Sequence, residues 1–162
     1  MRAQIHRPAS LAIALLLLVS AAFGSEPLAT VATNWDDVSI DVMSVTRKGS
    51  VLTVKWAVRN DGDSARTVQF VTYGGGVRTY VVDEESGTKY YVLTDREGNS
   101  LASQHMLLTY GIPDSFGIRQ AIPPGSSKRL WAKFPAPPIE VRQISLYFDE
   151  TEPFEDIHIA DK

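Results

Sequence analysis

The sequence predicts an all-β, antiparallel two-sheet sandwich, with a small closed barrel as the alternative arrangement. Three observations carry this expectation. Apolar residues alternate singly with polar ones in short runs, which is the period of a half-buried strand. Seven to eight such runs follow one another, parted by Gly, Pro, Asn and Asp as in antiparallel sandwiches. No apolar stripe holds the helical period over several turns.

Residues 25–37 are small and polar apart from Trp35, and read as a leader onto a domain spanning 38–162. Val38, Ile40 and Val42 alternate with Ser39, Asp41 and Met43, and Arg47-Lys48-Gly49-Ser50 reads as the turn that follows. Leu52, Val54, Trp56 and Val58 then share one face, with Thr53, Lys55 and Arg59 on the other. A helix would scatter those four apolar side chains around its circumference. Asn60-Asp61-Gly62-Asp63-Ser64 closes the strand with residues that tolerate left-handed backbone. Residues 67–73 are β-branched and aromatic, until Gly74-Gly75-Gly76 imposes a bulge or a change of direction.

Residues 78–82 and 89–94 flank Asp83-Glu84-Glu85-Ser86-Gly87-Thr88, which predicts a hairpin with an acidic tip. Asp95-Arg96-Glu97-Gly98-Asn99 is a further turn. Residues 101–120 lack clean alternation, and Leu107, Leu108, Tyr110 and Ile112 fit either a short helix or an irregular loop. Connections of that length in a compact domain are often functional. After Ile122-Pro123-Pro124-Gly125 a strand resumes at Ser127, with Leu130, Ala132 and Phe134 on one face and Trp131 opposite. Pro135-Ala136-Pro137-Pro138 forces a crossing poor in ladder bonds. Ile144, Leu146 and Phe148 alternate in the next strand, and residues 154–159 end the domain. Trp56 reads as core. Trp131 reads either as an exposed binding aromatic or as the second buried face of a central strand.

Several of these segments follow one order: residues 56–63 (Trp-Ala-Val-Arg-Asn-Asp-Gly-Asp), Tyr80-Val81-Val82-Asp83 with residues 87–93, then Ile122-Pro123-Pro124-Gly125. That order resembles small exported immunoglobulin-like bacterial domains, of the type grouped as DUF4352-like or telokin-like extracellular domains. Residues 131–138 and Pro153-Phe154-Glu155-Asp156-Ile157 are similar to segments of such domains found beside envelope modules. The resemblance covers most of the chain after residue 24 and rests on structural turns. It implies an immunoglobulin-like sandwich and, as a role, an interaction or envelope-associated module.

The N-terminus bears on location. A basic head carrying Arg2 and Arg7, an unbroken apolar run at 11–19 and small residues from Ser20 to Ser25 form the tripartite layout of a signal peptide. It spans residues 1–24, with cleavage near Gly24. The apolar run is well short of a membrane span. A periplasmic or secreted protein is therefore expected. Past Gly24 the chain carries 14 basic and 19 acidic residues, a balance of −5 that disfavours nucleic acid and anionic membranes as partners. With no cysteine, neither disulfides nor a lipidated cysteine are expected. No later apolar run reaches span length, so no membrane insertion is expected after cleavage.

Candidate chemistry is sparse. Asn60-Asp61-Gly62-Asp63 resembles part of a calcium loop, but an EF-hand with its glycine at Gly62 would need ligands where Ala57, Arg59 and Val68 stand. Of metal-ligating residues, His105 with its neighbour Met106, and His158, are the candidates, supplemented by Met43, Glu155 and Asp156. No Gly-x-Ser-x-Gly elbow marks a nucleophilic serine. Asp36-Asp37 and Glu84-Glu85 are sequence neighbours, which extended backbone points to opposite faces, so neither is an acid–base pair. Gly74-Gly75-Gly76 lacks the Lys-Ser/Thr ending of a phosphate loop.

The expectation is a non-enzymatic exported module without a cofactor, binding a protein or other envelope or extracellular component. Residues 101–120 and the acidic hairpin 83–88 are where recognition is expected, because sandwiches present it on loops. The alternative is a periplasmic copper- or zinc-handling protein using His105, Met106 and His158. A protease inhibitor acting through its end loops is a third reading, without a recognised inhibitory motif.

Overall fold

The computed structural model describes residues 26–70, 79–103, 118–148 and 151–162, and every regular element among them is a strand. The longest two lie next to each other in sequence, β2 (Val38–Lys48) and β3 (Val51–Asn60), after a short β1 (Ala29–Ala32). Lys48 pairs with Val51 across the two-residue turn Gly49-Ser50. Gly49 has φ +56, the left-handed first position of a type II′ hairpin turn, whose twist matches the strands. The turn is thus shorter than the sequence suggests: Arg47 and Lys48 belong to β2.

A bulge explains why. Val42 pairs with Trp56 but Ser44 with Lys55, so Met43 is an extra residue in β2. Before it, Val38, Ile40 and Val42 face the core; after it the inward phase moves to Val45 and Arg47. Arg47 is consequently 4% exposed, a buried cation rather than a turn residue.

The remaining strands are β4 (Arg66–Phe70), β5 (Tyr80–Asp83), β6 (Thr88–Tyr91), β7 (Ile118–Ile122), β8 (Ser127–Pro135), β9 (Gln143–Tyr147), β10 (Phe154–His158) and β11 (Ala160–Asp161). One sheet runs β1-β2-β3-β8, with β11 added in parallel to β2. β1 pairs with residues 39–42 of β2 and β11 with Thr46 and Arg47, so the two lie end to end on one edge, on either side of the bulge. The second sheet runs β10-β9-β5-β6 and is antiparallel throughout. β4 and β7 form a separate antiparallel ribbon. Because β4 follows β3 and β7 precedes β8, this ribbon continues the β3–β8 pair beyond a corner.

Asn60 pins that corner. It is fully buried, its Nδ2 donates to the carbonyls of Ser64 and Ile122, each at 2.8 Å, and its Oδ1 accepts from Gly62 N at 3.0 Å. Residues 60–64 therefore do more than end a strand. Gly62 also passes close to Asp37, and a Cβ placed on it would stand 2.9 Å from the Asp37 side chain.

The core fills the space between the sheets. Leu52, Val54, Trp56, Val58, Leu130, Ala132 and Phe134 face Val81, Ile144, Leu146, Phe154 and Ile157, all 4% exposed or less. Trp56 sits against Phe148 at 5.0 Å between centroids, and Phe148 meets Phe154 edge-on at 5.7 Å. Burying each such side chain stabilises the fold by roughly 1.5–3 kcal/mol. Trp56 is core, as its alternation predicts.

The antiparallel two-sheet sandwich is the observed architecture, and it is not closed into a barrel. Eleven strands appear among the described residues against the seven or eight expected. The difference comes from short segments: β1 within the expected leader, β7 overlapping the end of 101–120, and β11 at the C-terminus. β7 and β11 are completed by partners far away in sequence, and β1 by the next strand, β2. The far edge of β8 is also covered. Leu93 N donates to Lys133 O at 2.8 Å, Lys133 N to Leu101 O at 2.9 Å and Ser103 N to Trp131 O at 2.8 Å. Covering an edge in this way blocks pairing with other chains.

Candidate binding surface

The outer face of the second sheet carries the most unusual side-chain arrangement among the described residues. In β5, Val81 points into the core, so its neighbour Tyr80 points out. Leu146 and Tyr147 repeat this parity in β9. Register does the rest: Tyr80 pairs with Tyr91 of β6 on one side and with Tyr147 on the other. Three tyrosines from three strands thus form one row. Tyr80 and Tyr147 are stacked at 4.8 Å with an interplanar angle of 7°, and Tyr80 and Tyr91 are tilted at 6.0 Å. Lys89 Nζ lies 4.7 Å from the Tyr80 ring centroid, a cation–π contact. Tyr91, at the end of the row, is 48% exposed.

The row leads into an acidic groove. The Tyr147 hydroxyl donates to Glu84 Oε1 at 3.2 Å. Burial first, and then the charge of Glu84, hold that hydroxyl above its ordinary pKa. Glu84 belongs to a groove of about 300 Å³ lined by Asp83, Glu84, Glu85, Glu140, Arg142 and Asp156, with the start of β9 as its floor.

The acids have different duties. Asp83 is buried and caps the β5–β6 hairpin, Oδ1 accepting from Glu85 N at 3.1 Å and Oδ2 from Ser86 Oγ at 2.6 Å. Glu84, Glu85 and Glu140 are exposed. Asp156 reaches the groove through a bulge in β10, with φ +55, a conformation that Asp tolerates better than most residues. Arg142 gives its Nη1 to Asp161 Oδ2 at 2.7 Å, which leaves the groove with an excess of negative charge.

A second polar cluster lies on the outer face of the first sheet and is structural. Asp41 is buried and held by Arg59 Nε at 3.0 Å and Thr30 Oγ1 at 2.7 Å, which ties β1, β2 and β3 together. Asp61 accepts from Ser39 Oγ at 2.7 Å and from Arg59. Asp37 is paired with Arg66 at 2.6 Å. Asp61 of the calcium-loop fragment and Asp37 of the Asp36-Asp37 pair are therefore engaged by bases and hydroxyls here.

The other sequence candidates fall as follows. His158 is an exposed residue of β10, opposite Gln143, while His105 and Met106 lie outside the described residues. Among the described residues no three His, Cys, Asp or Glu side chains converge as metal ligands would. Of residues 101–120, the first three lie along β8 and the last three in β7, and 104–117 are outside the described residues, as are residues 1–24 and Gly74-Gly75-Gly76. The acidic hairpin 83–88 forms as expected and supplies one wall of the groove. Trp131 is 36% exposed on the outer face of β8, with Lys133 Nζ 5.9 Å from its ring, so of its two readings the exposed one is observed. Among the described residues no helix is long and apolar enough to cross a membrane.

The tyrosine row is what a reading of the sequence misses. Parity places Tyr80 and Tyr147 on outer faces, but the pairing of Tyr80 with Tyr147 across strands far apart in sequence is not a local property. In comparisons with protein-family models, curated proteins and solved structures, nothing matches the chain.

Proposed function

We propose that this chain is an exported, non-enzymatic β-sandwich module that binds an envelope or extracellular macromolecule through the outer face of its second sheet. The observation that carries the reading is the Tyr91–Tyr80–Tyr147 row, open to solvent at Tyr91 and joined to a groove at Glu84. A sandwich needs its aromatics inside. A row of them outside, on rigid strands, provides large contact area at little entropic cost, which is why tyrosine is enriched at interfaces. Export follows from the signal-like segment 1–24, and the resemblance to envelope-associated immunoglobulin-like domains supports the same role.

The test is photocrosslinking in intact producing cells. A benzophenone amino acid at Tyr91 is expected to form a discrete adduct, and the same group at Leu28 (52% exposed), at the edge of the first sheet, is expected to form none. Absence of an adduct at position 91, or equal labelling from both positions, overturns the proposal.

A further inference from the structure

We infer that the occupant of this face is a cationic, extended polypeptide segment, an inference that rests on the binding role proposed above. Charge complementarity is the first argument. Glu84, Glu85, Glu140 and Asp156 surround the groove, and Arg142, the basic residue in its lining, is held by Asp161. A groove lined mostly by one sign of charge concentrates ligands of the opposite sign.

The rings themselves supply the second argument. Tyr80 is covered by Tyr147 in a stack and approached by Lys89 Nζ at 4.7 Å. The row is already loaded with an ammonium group from its own chain. A flat sugar ring would need an open aromatic face of the kind that Tyr80 does not offer, whereas a ligand lysine or arginine would take the cation–π position by displacing Lys89.

Dimensions give the third. Tyr80 and Glu84 are four residues apart along β5 and its turn, about 13 Å at strand rise. An extended peptide covers that distance in four residues, so bases at i and i+4, which share a face, would reach the tyrosine row and the acidic groove together. A basic peptide with alternating lysines satisfies this spacing.

The test uses fluorescence anisotropy of a labelled ten-residue peptide of alternating Lys and Ala, titrated with the purified protein. Saturable binding is expected, weakened tenfold or more by Glu84→Gln/Glu85→Gln/Glu140→Gln and by raised salt. Lys89→Ala is expected to tighten binding severalfold by removing the resident cation. Lys48→Ala, which changes net charge equally on an exposed residue of the first sheet, is expected to leave it unchanged. No saturable binding overturns the inference, as does binding indifferent to the triple substitution, or equal tightening by Lys48→Ala. Selective binding of a neutral chitin tetrasaccharide, or self-association abolished by Tyr91→Ser, also overturns it in favour of a sugar or a second copy. A crosslink at position 91 without peptide binding refutes the cationic class and leaves the binding role standing. Loss of both refutes both.

Discussion

Arg47 and Asp161, 114 residues apart, meet in a two-pronged ion pair, Nε to Oδ1 at 2.6 Å and Nη2 to Oδ2 at 3.2 Å. The guanidinium is 4% exposed and reaches further. Nη1 donates to the carbonyls of Pro137, Pro138 and Val141 at 3.2, 2.5 and 3.0 Å, and Nη2 to that of Ile139 at 3.2 Å. One side chain thus holds the proline-rich crossing, whose carbonyls have few ladder partners, and the C-terminal strand to β2. Planar, five-donor geometry suits Arg to this and Lys to none of it.

Replacing Arg47 should be among the most destabilising single changes in the domain. Arg47→Ala takes the guanidinium from the carbonyls of Pro137, Ile139 and Val141, leaves Pro138 O with Val141 N and Asp161 with Arg142, and a loss of roughly 3–5 kcal/mol in urea unfolding is expected. Arg47→Lys should recover only a minor part, because one ammonium cannot span the set. A loss below about 1 kcal/mol for Arg47→Ala would contradict the structural role.

The same pair sets an acid limit. Hydrogen bonding from Arg47 foremost, opposed by burial and aided by the charges of Arg47 and Arg142, holds the Asp161 carboxyl below its ordinary value of 3.8. A depressed folded pKa means that the contribution is fully present above that value and is lost as pH falls through the lower folded one. Asp95, bonded by Asn99 in the turn that covers β8, is shifted in the same direction. Stability is therefore expected to decline below about pH 4. Asp161→Asn should flatten part of that decline while lowering stability at pH 7. Urea midpoints measured at pH 7, 5 and 3 decide the matter, and an unchanged acid slope in Asp161→Asn would refute it.

Asn60→Ala should open the corner between β3 and β4. It removes a donor from the buried Ile122 carbonyl and from the Ser64 carbonyl, and an acceptor from Gly62 N, the last two partly buried. A cost of about 2–3 kcal/mol is expected, from groups left unsatisfied away from water. Asn60→Asp should be no better, since a carboxylate cannot donate to either carbonyl. Thermal unfolding measures both, and near-native stability for either variant would contradict the bonding described.

Tyr91 and Tyr80 should separate binding from stability. Tyr80 has a tyrosine on each side, so Tyr80→Ala is expected to cost about 1–2 kcal/mol from lost ring contacts and lost cover. Tyr91 has one ring partner among the described residues and is half exposed, so Tyr91→Ala should stay within about 0.5 kcal/mol of the parent in urea unfolding. Position 91 can then be altered without disturbing the scaffold. A loss above about 1.5 kcal/mol for Tyr91→Ala would mean that the row is there for the fold.

Where alternation runs clean, the chain alone was enough. Leu52, Val54, Trp56 and Val58 are buried as their spacing predicts, and so are Leu130, Ala132 and Phe134. Hairpins closed by Gly49 and around 83–88 are equally legible, because their turn chemistry sits in four to six adjacent residues. Arg47 was not legible. A cation next to Lys48-Gly49 looks like turn surface until the extra residue at Met43 is known, and a bulge is defined against the opposing strand. β1, β7 and β11 were hidden likewise, being short segments whose hydrogen bonds are completed elsewhere.

The candidate site divides the same way. The acidic hairpin and the outward parity of Tyr80 and Tyr147 are written locally, since side-chain direction in a strand depends only on its neighbours. That Tyr91, Tyr80 and Tyr147 form one row beside Glu84, Glu140 and Asp156 is a matter of register between strands far apart in the chain. Local spacing determined the fold class and what each strand buries. Long-range pairing decided which exposed side chains became neighbours, because register is chosen by the whole core packing at once and is carried by no single segment.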